Sequence, residues 1–301
     1  MIELHSPLVY VVVLTWNHKE DTFACLESLS ALTYPNFRIL VVDNGSTDGT
    51  PEAVRECFPT TQVMVNERNL GFATGVNRGL QQALQQKADL IFLLNNDALV
   101  EPHVLERLLD HCAEDVGLLA PKIYYTHEPA RIWSIGGLRH PWTIEKTGDA
   151  RGALDGPQWS RLLERDYLVG CAMLIPRRTL ERVGGFDERH FMYYEDMDFS
   201  WRVRAAGLRL LVVPEAHVWH KVAISSGGSD SPNERYWMAR SSVLFFRRYV
   251  RGWRWLIIGP YRLGSALKTT LRLLFHRRFA ALHAYWRGLR DGLMEQEGAF
   301  D

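Results

Sequence analysis

The sequence predicts an α/β protein built on a doubly wound, mostly parallel sheet, with a basic helical appendage at its carboxyl end. Three observations lead there. Apolar runs without period-2 alternation, such as Leu90 to Leu94, recur along the first half and mark strands covered on both faces. Between them lie segments with apolar residues at helical spacing, which sets a βαβ rhythm. After Ser241 the chain changes in kind: eleven Lys and Arg against four acids give the tail a net charge of +7, so the rest of this neutral 301-residue chain carries −7.

The first strand is Leu8 to Thr15, a β-branched run that ends at Trp16-Asn17. Phe23, Leu26, Leu29 and Leu32 give one face to a helix over Glu20 to Leu32. Phe37 to Val42 is the second strand and closes on Asp43-Asn44-Gly45-Ser46. Thr50 then reads as an N-cap, with Pro51 at the first helical position. A third strand, Thr61 to Val65, leads through Asn66 to Ala73 into a helix over Thr74 to Gln86. The fourth is Leu90 to Leu94, which runs straight into Asn95-Asn96-Asp97. Beyond it come a helix over Glu101 to Cys112 and a short strand, Gly117 to Ala120. From Lys122 to Arg165 the pattern weakens into Trp, Gly, Pro and His, as expected of loops that carry specificity on a rigid sheet. Strand Tyr167 to Ile175, helix Pro176 to Val183, helix Asp198 to Ala206 and strand Leu208 to Val213 complete the domain.

Each polar cluster follows a strand's carboxyl end. Thr15-Trp16-Asn17, Asp43-Asn44, Asn69 and Asn95-Asn96-Asp97 should therefore meet at one edge, where open α/β sheets bind ligands. Turn formation explains any one of them. Four in succession favour a nucleotide site, and Asn95-Asn96-Asp97 offers hard oxygen donors suited to a divalent cation or a ribose hydroxyl. Neither GxGxxG after the first strand nor GxxxxGK[ST] occurs, which argues against a dinucleotide oxidoreductase and a P-loop kinase. Cys25, Cys57, Cys112 and Cys171 form no CxxC, which argues against a zinc module and suits a reducing compartment. The amino terminus lacks the basic flank of a signal peptide and no apolar stretch reaches about 18 residues, so a cytoplasmic protein is expected.

Five blocks carry a resemblance over roughly residues 8–225: Val-Val-Val-Leu-Thr-Trp-Asn, Leu-Val-Val-Asp-Asn-Gly-Ser-Thr-Asp-Gly-Thr, Asn-Leu-Gly-Phe-Ala-Thr-Gly-Val-Asn-Arg-Gly, Leu-Leu-Asn-Asn-Asp and Tyr-Glu-Asp-Met-Asp-Phe-Ser-Trp-Arg. Together they resemble the family 2 glycosyltransferases, within them the bacterial rhamnosyltransferase-like branch. The resemblance implies a GT-A fold over 1–225, with a nucleotide-binding half (1–121) and an acceptor half (122–225). It implies an inverting transfer from a nucleoside-diphosphate sugar, such as dTDP-rhamnose or a UDP-sugar, to a hydroxyl of a cell-surface glycan or lipid-linked acceptor. It also implies a divalent metal, Mn or Mg. By position, Thr15, Asn17, Glu20, Asp43, Asn44, Asn69, Gly71, Asn77, Asn95 and Asn96 would line the donor pocket, with Asp97 and His220 on the metal. Asp196 would be the general base, with its neighbour Glu195 as runner-up. Asn95-Asn96-Asp97 stands where the family has Asp-x-Asp, one acid short. That motivates the competing expectation of a catalytically silent sugar-nucleotide-binding or scaffold protein. A nucleotidylyltransferase would need a Gly-rich basic phosphate loop near the first strand, which is absent.

Two stretches remain. Ahead of the helix that starts at Asp198, the stretch from Phe186 places four acids, Asp187, Glu188, Glu195 and Asp196, and His190 around aromatics, which an acidic helix amino terminus would also explain. The tail, within an appendage over 226–301, interleaves aromatic, apolar and basic residues over 241–292. Such helices lie on anionic bilayers, here the inner face of the plasma membrane, and the alternative is a cap on the catalytic domain or on a second subunit of a homodimer. Nucleic-acid binding is not expected, because the first 240 residues are acidic and contain no binding module.

Overall fold

The structure is a computed structural model and describes residues 6–148, 150–222 and 230–295. In chain order its elements are β1 (Val9–Thr15), α1 (Lys19–Ser30), β2 (Phe37–Asp43), α2 (Thr50–Cys57), β3 (Gln62–Val65), α3 (Gly71–Gln85), β4 (Leu90–Asn95) and β5 (Ala98–Val100). There follow α4 (Val104–Leu109), β6 (Val116–Tyr125), β7 (Ile132–Ser134), β8 (Leu138–Arg139), β9 (Lys146–Thr147), β10 (Leu163–Arg165), β11 (Ala172–Pro176) and α5 (Arg177–Val183). The chain continues through α6 (Glu195–Ala205), β12 (Arg209–His220), α7 (Pro232–Tyr249), α8 (Trp255–Phe275) and α9 (Phe279–Met294).

One sheet organises the molecule, in the order β10-β12-β6-β11-β4-β1-β2-β3. Strands β4, β1, β2 and β3 run parallel, as the unalternating apolar runs predict, while β11 enters antiparallel between β4 and β6. Val9, Val11 and Val13 pack with Phe92 and Leu94 on one face, and Tyr10, Val12, Ile91 and Leu93 on the other. Both faces are therefore buried, which is why no polar residue interrupts these runs.

Several boundaries differ from the sequence expectation. Thr50 is not the N-cap of α2: that position is Gly49, at φ 78°, and the Thr50 N–H and hydroxyl both donate to the Asp48 carboxylate. Helix α6 begins at Glu195 rather than Asp198, so the Glu-Asp pair occupies its first turn. Strand β6 runs ten residues instead of four, and β12 extends to His220, so both histidines of His217-Val218-Trp219-His220 lie on the strand and not beyond it. The stretch 122–165, expected as loops, carries β7, β8, β9 and β10. These short strands are paired to distant partners, which local patterning does not register.

The carboxyl-terminal helices divide into two kinds. Helix α7 is built into the protein: Trp237, Phe245 and Phe246 are fully buried, and Phe245 and Phe246 pack with Ile144, Val250 and Ile258. Helix α8 lies further out and buries only Ile258, Ala266 and Leu273. No helix of the described residues is long and apolar enough to cross a membrane.

Candidate active site

The parallel strands end together, and the register fixes what meets there. Thr15 pairs with Asp43 across β1 and β2, and Leu14 pairs with Asn95 across β1 and β4. Thr15 is buried, and its hydroxyl lies 2.8 Å from that of Thr22 on α1. The Asn96 amide donates to both hydroxyls, at 3.2 and 3.1 Å. Asn96 thus fastens β4 to β1 and α1, and holds the backbone before Asp97. Thr22 has no motif that would have singled it out; only its place one turn into α1, facing the strand ends, brings it here.

Asp43 is fully buried. Its Oδ1 accepts from the Gly45 and Ser46 N–H groups, at 3.1 and 2.8 Å, while Oδ2 has no hydrogen-bond partner. A buried carboxylate oxygen without a donor is costly, so it marks a place for a ligand N–H. Asn17, at φ 57°, holds the neighbouring loop: its N–H donates to Ser46 Oγ and its Oδ1 accepts from the Thr47 N–H. Glu20 is exposed on the first turn of α1, whereas its neighbour Asp21 forms an ion pair with Lys221.

Asn44, Asn69, Gly71 and Asn77 brace the site. The Asn44 amide donates to Asn69 Oδ1 and the Gly71 carbonyl and accepts from Asn66 Nδ2 and the Leu70 N–H, so all four of its positions are engaged. Asn69 also accepts from the Gly71 N–H. Gly71 sits at φ 81°, and a Cβ there would lie 2.5 Å from the Phe191 carbonyl oxygen. This close approach joins the start of α3 to the segment before α6, with the Phe72 N–H donating to Phe191 O at 2.6 Å. Asn77 lies deeper along α3. Both its N–H donors are engaged, by the Phe186 carbonyl and Glu188, and its oxygen accepts from the Phe186 N–H. In this structure the amide donors of Asn44 and Asn77 are all engaged by protein groups, so both side chains hold loops together at this edge.

Asp97 and His220 come together through an antiparallel pairing that the sequence did not reveal. Strand β5 pairs with the end of β12, with Ala98 opposite His220. This sets Asp97 Oδ1 2.9 Å from His220 Nε2, and both residues are buried. The contact lacks hydrogen-bond alignment: Asp97 Oδ1 and His220 Nδ1 are both buried without a partner. A carboxylate oxygen and an imidazole nitrogen side by side in a buried position are donors of the kind that hold a divalent cation. The Trp133 ring lies 4.4 Å from that of His220, centroid to centroid, and closes one side. Asn95, at the end of β4, is half-buried, and its N–H donates to Cys171 O.

The same stretch leads to the acids of α6. Burial raises the Cys171 thiol, and the charge of the Asp97 carboxylate raises it further. The Gly170 N–H reaches Asp196 Oδ2 at 3.4 Å, and the Met197 N–H donates to Asp196 Oδ1 at 2.8 Å. Tyr193 and Tyr194, both at φ 66°, turn the chain sharply into α6 and present Glu195 and Asp196 on its first turn. Glu195 is buried with Oε2 unpartnered, and burial, then the adjacent Asp196, push its carboxyl well above the usual range. Asp196 is partly exposed; burial raises its carboxyl and the Lys146 ammonium opposes that rise. Lys146, on the β8–β9 hairpin, was not visible as a site residue from its sequence context.

A second cluster, Asp187, His190 and Asp198, also brings ligand-type atoms within 4.8 Å of one another. Arginines already occupy it: Asp187 pairs with Arg189 and Arg248, and Asp198 pairs with Arg202 and Arg248 and accepts from Tyr249. Burial pushes the His190 imidazole down to about 4, despite the opposing pull of the two aspartates. This cluster ties α6 to α7 and leaves a cation facing guanidinium groups. An open groove between α3 and α5 is lined by Asn77, Leu80, Gln81, Leu84, Leu180 and two glycines, and offers no acid or base for the reaction.

With this geometry in place, comparison with known proteins assigns the family. The model of glycosyl transferase family 2 matches residues 10–169, and that of glycosyl transferase family group 2 matches 90–290. The N-acetylglucosaminyl-diphospho-decaprenol L-rhamnosyltransferase of Mycobacterium tuberculosis is 29% identical over 299 residues, covering 89% of this chain and 95% of the relative. The dTDP-rhamnosyl transferase RfbF of Shigella flexneri is 19% identical, covering 80% of each chain. Among solved structures, a mannosyltransferase from Pyrobaculum calidifontis in complex with GDP-Man and Mn2+ superposes with a TM-score of 0.59 at 19% identity, covering 98% of this chain and 89% of that one. GalNAc-T7 with UDP, GalNAc and Mn2+ gives 0.60 at 16% identity, covering 81% and 50%. These two share the fold, the GT-A architecture of a mixed, mostly parallel sheet with helices on both faces. The chain belongs to glycosyl transferase family 2, in its rhamnosyltransferase-like branch.

Proposed function

We propose that this glycosyltransferase moves a sugar, with inversion, from a nucleoside-diphosphate donor to a hydroxyl of a lipid-linked glycan at the cell envelope. The observation that carries the reading is the placement of two buried, unsatisfied carboxylate oxygens on one sheet edge, Asp43 Oδ2 and Asp97 Oδ1, the second beside His220. Asp43 accepts an N–H of the donor's base, and Thr15, Asn17 and Asn96 shape the floor beside it. Asp97 and His220 hold a divalent cation that, when bound, neutralises the charge gathering on the leaving diphosphate. Asp196 takes the proton from the acceptor hydroxyl. It is the better placed of the two acids, since it is partly exposed and fixed by two N–H groups, whereas Glu195 is enclosed. The dipole of α6 favours its ionised form, and the acceptor attacks from the face opposite the diphosphate, which is what inversion requires.

The donor is proposed as dTDP-rhamnose and the acceptor as a polyprenyl-diphosphate-linked sugar. Support comes from the full-length match to the mycobacterial enzyme, whose name specifies a rhamnosyl group and a diphospho-decaprenol acceptor. Incubation with dTDP-rhamnose, UDP-sugars and GDP-mannose, each with Mn²⁺ and a polyprenyl-diphospho-N-acetylglucosamine, tests this by product mass and anomeric NMR coupling. Turnover with another donor only would overturn the donor assignment. Retention of anomeric configuration would overturn the role of Asp196.

A further inference from the structure

We propose that α8 is a docking helix that lies in the plane of an anionic lipid bilayer, with its outward leucines set into the interface. Leu256, Leu263, Leu267, Leu271 and Leu274 are all exposed and recur at spacings that place them on one face, and Phe275 extends that face at 85% exposure. The opposite face, through Ile258, Ala266 and Leu273, already packs on the hairpin, α7 and α9. A helix with apolar residues on both sides, one of them turned to water, needs a second partner.

The charge pattern selects that partner. The chain has no Asp or Glu from 235 to 290, while Arg251, Lys268 and Arg277 are exposed beside the leucines. Pairing the face with a second copy of itself would set cation against cation. Spanning is excluded, because no helix of the described residues is long and apolar enough to cross, and Arg262, Lys268 and Arg272 interrupt α8. An anionic bilayer surface accepts both the leucines and the cations. Trp253 and Trp255, exposed where α8 begins, suit the interfacial zone. The docking surface is thus narrower than the 241–292 stretch the sequence suggested, since α7 is buried within the protein.

Docking would also orient the site. Arg262 of α8 pairs with Glu145 at 3.1 Å, and Ile144 packs on Ile258, so the β8–β9 hairpin, whose Lys146 lines the same recess as Met197 of α6, is fixed to α8. That consequence rests on the lipid-linked acceptor proposed above, whereas bilayer docking does not. The test is therefore flotation of the full chain with vesicles of phosphatidylcholine alone or with phosphatidylglycerol, without donor or acceptor. Recovery with the anionic vesicles only, weakening with salt, is expected. Each leucine withdrawn from water is worth about tenfold in partitioning, so Leu263→Glu/Leu267→Glu/Leu271→Glu should reduce recovery at least about 100-fold. These positions face solvent, and unchanged circular dichroism would verify folding; Lys268→Glu/Arg277→Glu, which spares the leucines, should lower recovery on anionic vesicles as well. Equal recovery on neutral and anionic vesicles, or none on either, would overturn the proposal. A dimer in solution that the triple substitution dissociates would do so in favour of a second copy.

Discussion

Replacing Asp196 by Asn should reduce turnover by about 10²- to 10⁴-fold and leave donor affinity unchanged. Asn keeps the shape of the side chain, so its oxygen still accepts from the Met197 N–H at 2.8 Å; what it gives up is the 3.4 Å contact with Gly170, already at the long end for a hydrogen bond. The loop and the helix start therefore survive, and only the capacity to take a proton is removed. The pH dependence follows from the same environment. Burial raises the Asp196 carboxyl, Lys146 opposes it, and the base works only when ionised. Activity should thus fall on the acid side, and Lys146→Ala, by removing the opposing charge, should move that limb to higher pH. Nucleoside-diphosphate release measured across a pH series, with donor affinity from titration, checks both statements. If Asp196→Asn stays within a few fold of the parent while Glu195→Gln is inactive, the two roles must be exchanged. An unmoved acid limb in Lys146→Ala would refute the electrostatic argument.

Other substitutions test the framework. Glu195→Gln should stabilise the protein at neutral pH: a carboxyl raised in the folded state is penalised once the pH exceeds its unfolded value, so the gain, about 2–4 °C per kcal/mol relieved, should vanish in acid. Thermal melts at two pH values decide it. Gly71→Ala should destabilise by roughly 2–4 kcal/mol, since φ is 81° and the new Cβ meets the Phe191 carbonyl at 2.5 Å; denaturant midpoints measure this. Asn77→Ala removes three hydrogen bonds to the 186–188 segment and should cost about 1–3 kcal/mol of stability with donor affinity retained. A loss of affinity without loss of stability would return Asn77 to the nucleotide pocket.

The parallel half of the fold was legible because β1 and β4 are buried on both faces and the helices between them on one, so their apolar runs and periods stand out, although β3 at the sheet edge is only half-buried. The polar strand ends were legible for the same reason: once the strands are placed, Thr15, Asp43 and Asn95 fall in register. What the sequence did not reveal depends on contacts far apart in the chain. Strand β5 has three residues and exists as a partner for the end of β12, yet it is what brings Asp97 to His220. The stretch 122–165 is held by pairs such as buried Lys122 with Asp155, 2.9 Å apart, and by bridges such as Gly137 to Tyr167, which leave no local period. Asn44 and Asn77 show a further limit: their residue type and position say nothing of the protein groups that their amides hold, which only the folded chain reveals.

The central claim is that Asp97 and His220 serve the donor's diphosphate at the carboxyl edge of the sheet. Its most direct test is nucleoside-diphosphate release from dTDP-rhamnose, in the presence of the polyprenyl-diphospho-sugar acceptor, by the parent chain and by Asp97→Ala, each with Mn²⁺ and with EDTA. The account predicts release by the parent chain with Mn²⁺ alone, and none by Asp97→Ala under either condition. Full release by the parent chain in EDTA, or undiminished release by Asp97→Ala, would contradict it.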